Sequence, residues 1–164
     1  MNFFLADILI SKDKDVDLNL NIKKHILING LDLINKELKT SRTNNPCLIV
    51  SLRLTNIMSM KKLNYSFSGS NKETNVLSFL PDPKETDENN NSVGDVAICV
   101  DVLKKEAKEQ NKEFLDHLIH LFVHGVLHLL GYIHDSDVEA SKMEQIEKSI
   151  LSKLGIEDPY LIEL

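Results

Sequence analysis

Apolar residues recur every three or four positions from Leu20 to Leu38, at Ile22, Ile26, Leu27, Leu31, Leu33, Ile34 and Leu38. That spacing predicts a long amphipathic helix. On either side of it the pattern shortens to apolar runs. Phe3 to Ile10 and Cys47 to Leu54 each read as a strand, bounded by a charged turn around Lys12 to Asp17 and by the breaker Asn44-Asn45-Pro46. The second strand ends near Thr55, and either Thr55 or Asn56 is placed to cap a short helix through Leu63. Tyr65 to Glu73, with Ser66, Ser68, Gly69, Ser70 and Asn71, reads as a loop. Val76 to Leu80 is a short strand stopped by Pro81, and the acidic, Asn-rich stretch Pro81 to Ser92 reads as a mobile loop. Val93 to Val100 is a further strand, with Asp101 placed to start the next helix. Lys112 to Leu130 then reads as one buried helix and Asp137 to Leu154 as an amphipathic one.

The order of elements implies an α+β fold, a small mixed four-stranded sheet packed by about five helices. With no internal repeat and no long linker, residues 1–164 read as a single domain, long enough to bury a core without staples. A composition 42% hydrophobic and 27% charged excludes a disordered or collagen-like chain. The net charge of −6 weighs against a protein that coats nucleic acid, or DNA in particular, by bulk attraction. It leaves open an enzyme that meets a nucleic acid locally, at a metal. The longest apolar stretch, Leu118 to Leu130, is too short and too polar to span a membrane. Met1 to Ile10 contains Asp7 and lacks a basic start and a cleavage site, so a cytoplasmic protein is expected. Cys47 and Cys99, both in strand-like runs, read as buried, reduced thiols.

The chemistry concentrates in His124-Gly125-Val126-Leu127-His128-Leu129-Leu130-Gly131-Tyr132-Ile133-His134. His124 and His128 are four apart and stack on one face of a helix, within reach of a single ion. Gly131 falls where the helix ends, because glycine accepts the left-handed cap conformation. The reversal brings His134 back toward the other two, placing a metal site at the end of the central buried helix. Three neutral imidazoles leave one zinc position open, the arrangement of a catalytic site. Zinc, one ion per chain, is expected for an all-imidazole set, with nickel and copper able to occupy it. His117 and His120 lie on the same face and read as outer partners or satisfied core histidines. His25 reads as ordinary surface. Asp135 either orients an imidazole or serves the turn. Zinc proteases of the H-E-x-x-H kind carry a glutamate beside the first histidine, and here that position is Gly125, which disfavours peptide hydrolysis.

These residues resemble the YbeY family of metal-dependent endoribonucleases, whose motif is H-G-x-L-H-L-x-G-Y-D-H. Further matches are Leu63-Asn64, Thr74-x-Val76-Leu77-Ser78-Phe79 and Gly94-Asp95-x-x-Ile98, followed by Glu139, Met143 and Glu144. The likeness spans about residues 55 to 150. Two positions depart from it. Ile133 stands where the family has aspartate, and Phe67-Ser68-Gly69 stands where the family has an aromatic residue, arginine and glycine. Ser68 thus replaces a guanidinium placed near the metal to contact phosphate, a bidentate grip that serine cannot reproduce. Lys72, Lys61 and Lys62 read as surface lysines that offer positive charge nearby.

The resemblance implies a zinc-dependent endoribonuclease specific for single-stranded RNA, active in 16S ribosomal RNA maturation and ribosome quality control. Ribosomal RNA and proteins of the small ribosomal subunit would be its partners. A bound ion polarises a phosphoryl oxygen and lowers the pKa of its water to about 7. That water is the catalytic candidate, since no side chain stands out as the base. Two other readings compete: a ribosome-assembly binding factor with weak or no catalysis, favoured by Ser68, and a zinc hydrolase of another class, disfavoured by Gly125.

Overall fold

The computed structural model describes residues 6–19, 23–38, 48–84 and 92–161. Four strands run in the order β1 (Asp7–Lys12), β2 (Ile49–Thr55), β3 (Val76–Phe79) and β4 (Ser92–Cys99). The helices among the described residues are α1 (Lys24–Leu38), α2 (Ile57–Ser68), α3 (Val100–Glu109), α4 (Phe114–Leu129) and α5 (Asp137–Lys153). The sheet order is β1-β2-β4-β3, with β1, β2 and β4 parallel and β3 antiparallel on the β4 edge. This is the α+β fold and mixed four-stranded sheet expected from the pattern. None of the described helices is long and apolar enough to cross a membrane.

Alternation along the strands divides the core. Val50, Leu52 and Leu54 of β2, with Val96 and Ile98 of β4, face the main core shared with α1, α4 and α5. The intervening Ala97 and Cys99 face Met60 and a smaller cluster that includes Ile57, Leu63 and Val102 from α2 and α3. Helix α4 is the central element: Leu118, Phe122, Val123, Val126 and Leu127 are all within 1% of complete burial. It packs against β3, β4, α1, α3 and α5. A helix enclosed on so many sides is apolar nearly all round, which accounts for the unbroken run in the sequence.

Several element ends differ from expectation for local reasons. Helix α2 continues through Tyr65, Ser66, Phe67 and Ser68, which the pattern assigns to a loop. Ser68 Oγ donates back to the Asn64 carbonyl (2.9 Å), which accommodates serine in a helical turn, and Gly69 closes the helix at φ 74°. At the other end Asn56, rather than Thr55, is the cap; its side chain accepts from the Ser59 N–H at 2.8 Å. Helix α3 begins at Val100, with Asp101 in its first turn. Cys99 is a buried free thiol and His25 is exposed, as expected. Cys47, the Asn44-Asn45-Pro46 breaker, the start of the first strand and most of the Pro81–Ser92 loop lie outside the described residues.

Candidate metal centre

Gly125 sets how closely α4 approaches the sheet. A Cβ there would lie 2.9 Å from Val96 Cγ1, 3.2 Å from Ser78 Oγ and 3.3 Å from Val76 Cγ2. Ser78 Oγ donates to the Gly125 carbonyl at 2.8 Å, tying β3 to the helix at that point. Any side chain at position 125 would therefore drive into the sheet, and a glutamate there would be misdirected as well as crowded.

His124 and His128 lie near the C-terminal end of α4, their rings turned to Glu147 and to the Tyr132 carbonyl. That end carries the negative pole of the helix dipole, which favours a cation. The helix stops in a Schellman arrangement: the Gly131 N–H donates to the His128 carbonyl and the Tyr132 N–H to the Leu127 carbonyl, both at 3.0 Å. Gly131 takes φ 94°, the left-handed conformation that its place in the sequence predicts. Five residues after Gly131, Ser136 starts α5 with a full capping box, its hydroxyl accepting from the Glu139 N–H and Glu139 accepting from the Ser136 N–H. His134 is carried on the short exposed turn held between these two caps.

Among the described residues, His124, His128 and His134 form a group able to hold a metal ion, each offering one nitrogen with all three within 4.8 Å of one another. Their partners set the tautomers. His124 Nδ1 lies 2.5 Å from Glu147 Oε1, and His128 Nδ1 lies 2.9 Å from the Tyr132 carbonyl. A carboxylate and a carbonyl only accept, so both Nδ1 atoms carry a proton, and in the neutral form of the two rings both Nε2 atoms are bare. Those two Nε2 atoms face each other at 3.0 Å. Two lone pairs at that distance repel, and a cation between them turns the repulsion into ligation. The donor set therefore fits a zinc-type ion, with oriented imidazoles of the kind such ions require. Burial, reinforced by the neighbouring His124 and His134, pushes the His128 pKa down, which keeps that ring in its neutral, ligating form.

Glu147 organises the surroundings. Its side chain is fully buried in α5, where Oε1 accepts from His124 and Oε2 accepts from His120 (3.2 Å) and from the Tyr160 hydroxyl. Burial pushes the carboxyl up, but the donors from His120, His124 and Tyr160 outweigh it and hold the pKa down at about 2. The Tyr160 phenol is pushed upward by burial and by Glu147, so it stays protonated and donates. His120 is thus an outer partner of the centre. His117 is engaged elsewhere through its Nε2, 2.8 Å from Glu106 Oε2, while its Nδ1 is buried without a partner. Asp135 is exposed in the turn, and the orienting role falls to Glu147 and the Tyr132 carbonyl.

Sequence reasoning passed over Glu147 and Tyr160. Glu147 carried a signal: it shares the buried stripe of α5 with Met143, Ile150 and Leu151, and a lone carboxylate on an apolar stripe needs a partner. Tyr160 carried none, since its contacts come from distant parts of the chain. A hollow of about 270 Å³ opens beside the centre, lined by His124, His134, Met143, Glu144, Glu147 and Tyr160. Ser68 is exposed at the end of α2, its hydroxyl engaged by Asn64. A second hollow, about 410 Å³ and lined by Lys62, Tyr65, Ser66 and Asn71, lies on the same helix.

Comparison with known proteins gives a consistent result. The model of the family described as "Endoribonuclease YbeY" matches residues 7–155. An endoribonuclease YbeY from Colwellia psychrerythraea is 45% identical over 126 residues, covering 75% of this chain and 79% of that protein. One from Francisella philomiragia is 40% identical over 152 residues, covering 88% and 96%. Among solved structures, the solution structure of TM1509 from Thermotoga maritima matches with a TM-score of 0.54. That match covers 96% of this chain and all of the other, at 21% identity, a likeness of fold.

Proposed function

From the premise that this chain belongs to the YbeY endoribonuclease family, we propose that it is a zinc-dependent endoribonuclease for single-stranded RNA. It acts in 16S ribosomal RNA maturation and ribosome quality control, as one catalytic domain over residues 1–164, in the cytoplasm and with proteins of the small ribosomal subunit as partners. The ligands are His124, His128 and His134. The observation that carries this reading is the pair of Nε2 atoms 3.0 Å apart, each backed by an acceptor on its Nδ1.

When bound, the ion supplies Lewis acidity toward a phosphoryl oxygen and acidifies its water. The chain's own residues prepare that chemistry. Glu147 holds the His124 ring by its Nδ1–H, and the Tyr132 carbonyl does the same for His128, so neither ring must reorient as the ligands assemble. His134, exposed on its turn, closes the set from the solvent side. The hollow bounded by Met143, Glu144 and Tyr160 gives a nucleotide room beside the histidines. Ser68 offers no cation for a phosphate. Lys62, exposed on the face of α2 that carries the second hollow, is the nearest replacement along that helix.

The test uses metal-defined protein with single-stranded RNA, duplex RNA and casein. Cleavage of the single strand alone is expected, and His128→Ala should lose both the metal and the activity. Casein cleavage would instead favour a hydrolase of another class. Metal and RNA binding without cleavage would favour the assembly-factor reading, for which Ser68 is the specific observation.

A further inference from the structure

Tyr160 lies past residue 155, where the match to the family model ends. The segment that carries it is strapped to the body of the protein. Lys112 Nζ donates to the Pro159 carbonyl at 3.0 Å, Lys148 pairs with Asp158 at 3.7 Å, and Asp158 Oδ1 accepts from the Tyr160 N–H at 2.9 Å. Lys148 Nζ also sits 5.6 Å from the centre of the Tyr160 ring, within cation–π range. The ring is turned inward, edge-on to His120 with centroids 5.5 Å apart, and its hydroxyl donates to Glu147.

The two oxygens of Glu147 do different jobs. Oε1 accepts from His124, while Oε2 accepts from His120 and Tyr160. The terminal torsion of a glutamate is soft and nearly two-fold, so a carboxylate keeps one orientation only if both oxygens are held. The His120 bond is long at 3.2 Å and is poorly suited to hold Oε2 alone. The phenol is the second, charge-assisted donor on that side.

We propose that Tyr160 is a positioning residue of the metal centre: its hydroxyl locks the Glu147 carboxylate, which keeps His124 protonated on Nδ1 and bare on Nε2. The C-terminal segment thereby becomes part of the site it borders, and the ring also forms one wall of the hollow beside His124 and His134. The inference rests on the reading of the three histidines as ligands, and it carries a consequence that is visible without any metal.

Tyr160→Phe removes the hydroxyl and keeps the ring and the strap. Two measurements read the outcome: long-range nitrogen–proton spectra of the imidazoles in metal-free protein, and zinc affinity by chelator competition. The unaltered protein should show His124 as a single Nδ1–H tautomer. The variant should show a mixture of tautomers and a zinc Kd raised about tenfold, the lower end of the cost of losing an outer partner. Its melting temperature should fall by roughly 3–12 °C, the ordinary loss of one hydrogen bond to a buried charge. Lys148→Ala, which loosens the strap but keeps the phenol, should move both readouts in the same direction by less. An unchanged tautomer and unchanged affinity in Tyr160→Phe overturn the proposal, whatever happens to stability. Should zinc bind equally to the unaltered protein and to His128→Ala, it is the ligand assignment that falls, and the tautomer spectra still decide the role of Tyr160.

Discussion

Replacing Glu147 by glutamine keeps the shape of the side chain and removes its charge. In the structure three donors converge on the carboxylate: His124 Nδ1–H, His120 Nε2–H and the Tyr160 hydroxyl. Glutamine presents one accepting oxygen and one NH₂, so at least one donor meets another donor. Leaving a buried polar group unsatisfied costs about 1–3 kcal/mol. The alternative is for His124 to shift its proton to Nε2 and accept from the NH₂, which places N–H where the ion should sit. Either route weakens the centre, and a 10- to 100-fold loss of zinc affinity is expected. The charge also has a signature in pH. Because the folded pKa of about 2 lies below the ordinary 4.5, Glu147 stabilises the fold fully above about pH 4.5, and that stability is lost as pH falls toward 2. The full amount is on the order of 3 kcal/mol. Glu147→Gln has no such group to titrate, so in metal-free protein the stability gap between it and the parent should narrow on acidification. The assays are chelator competition at neutral pH and urea unfolding from pH 7 down to pH 3. Zinc affinity within twofold of the parent, with an unchanged acid profile, would refute the reasoning.

Two further substitutions probe other parts of the site. Gly125→Ala gains about 1 kcal/mol of helix propensity but meets the fully buried, β-branched Val96 at 2.9 Å, an overpacking that costs about 1–3 kcal/mol. A net loss near 1 kcal/mol is expected in denaturant unfolding, and a gain in stability would contradict the close approach of helix and sheet. Ser68→Arg restores a guanidinium at an exposed helix end, with zinc affinity expected to stay within twofold. If the guanidinium contacts phosphate mainly in the transition state, cleavage of single-stranded RNA should rise by about one to two powers of ten. No rise, with a loss from Lys62→Ala instead, would mean that the lysine already fills the role.

The fold was legible wherever one face of an element decides its period. The alternation of β2 and β4 and the three-to-four spacing in α1 and α5 follow directly from which side meets the core. The end of α2 was not legible, because Tyr65 to Ser68 face solvent and their helical state depends on the Ser68 back-bond and the Gly69 cap. At the site, the histidines were legible because four-residue spacing and a helix-ending glycine are local geometry. Glu147 lies 23 residues from His124, and Tyr160 lies 13 beyond Glu147; only the docking of α5 and the following segment onto α4 brings them together. Site residues close in sequence announce themselves, while the groups that orient them come from wherever the tertiary fold supplies a face.

The division of the three histidines between a rigid helix and an exposed turn bears on how fast an ion exchanges. His124 and His128 sit on a helix that cannot unwind without opening the core, so their half of the site is always assembled. His134 sits on a few residues between Gly131 and Ser136, pinned at both ends by caps, with its ring stacked on His124 and edge-on to His128. Closing so short a span costs little entropy, and Tyr132 within it packs on the core and holds the His128 ring by its carbonyl. With the three histidines as ligands, an ion would be reached through this exposed turn, while the helical pair would anchor it. A chelator would capture the ion from the His134 side, through a state held by two imidazoles, with the fold intact throughout.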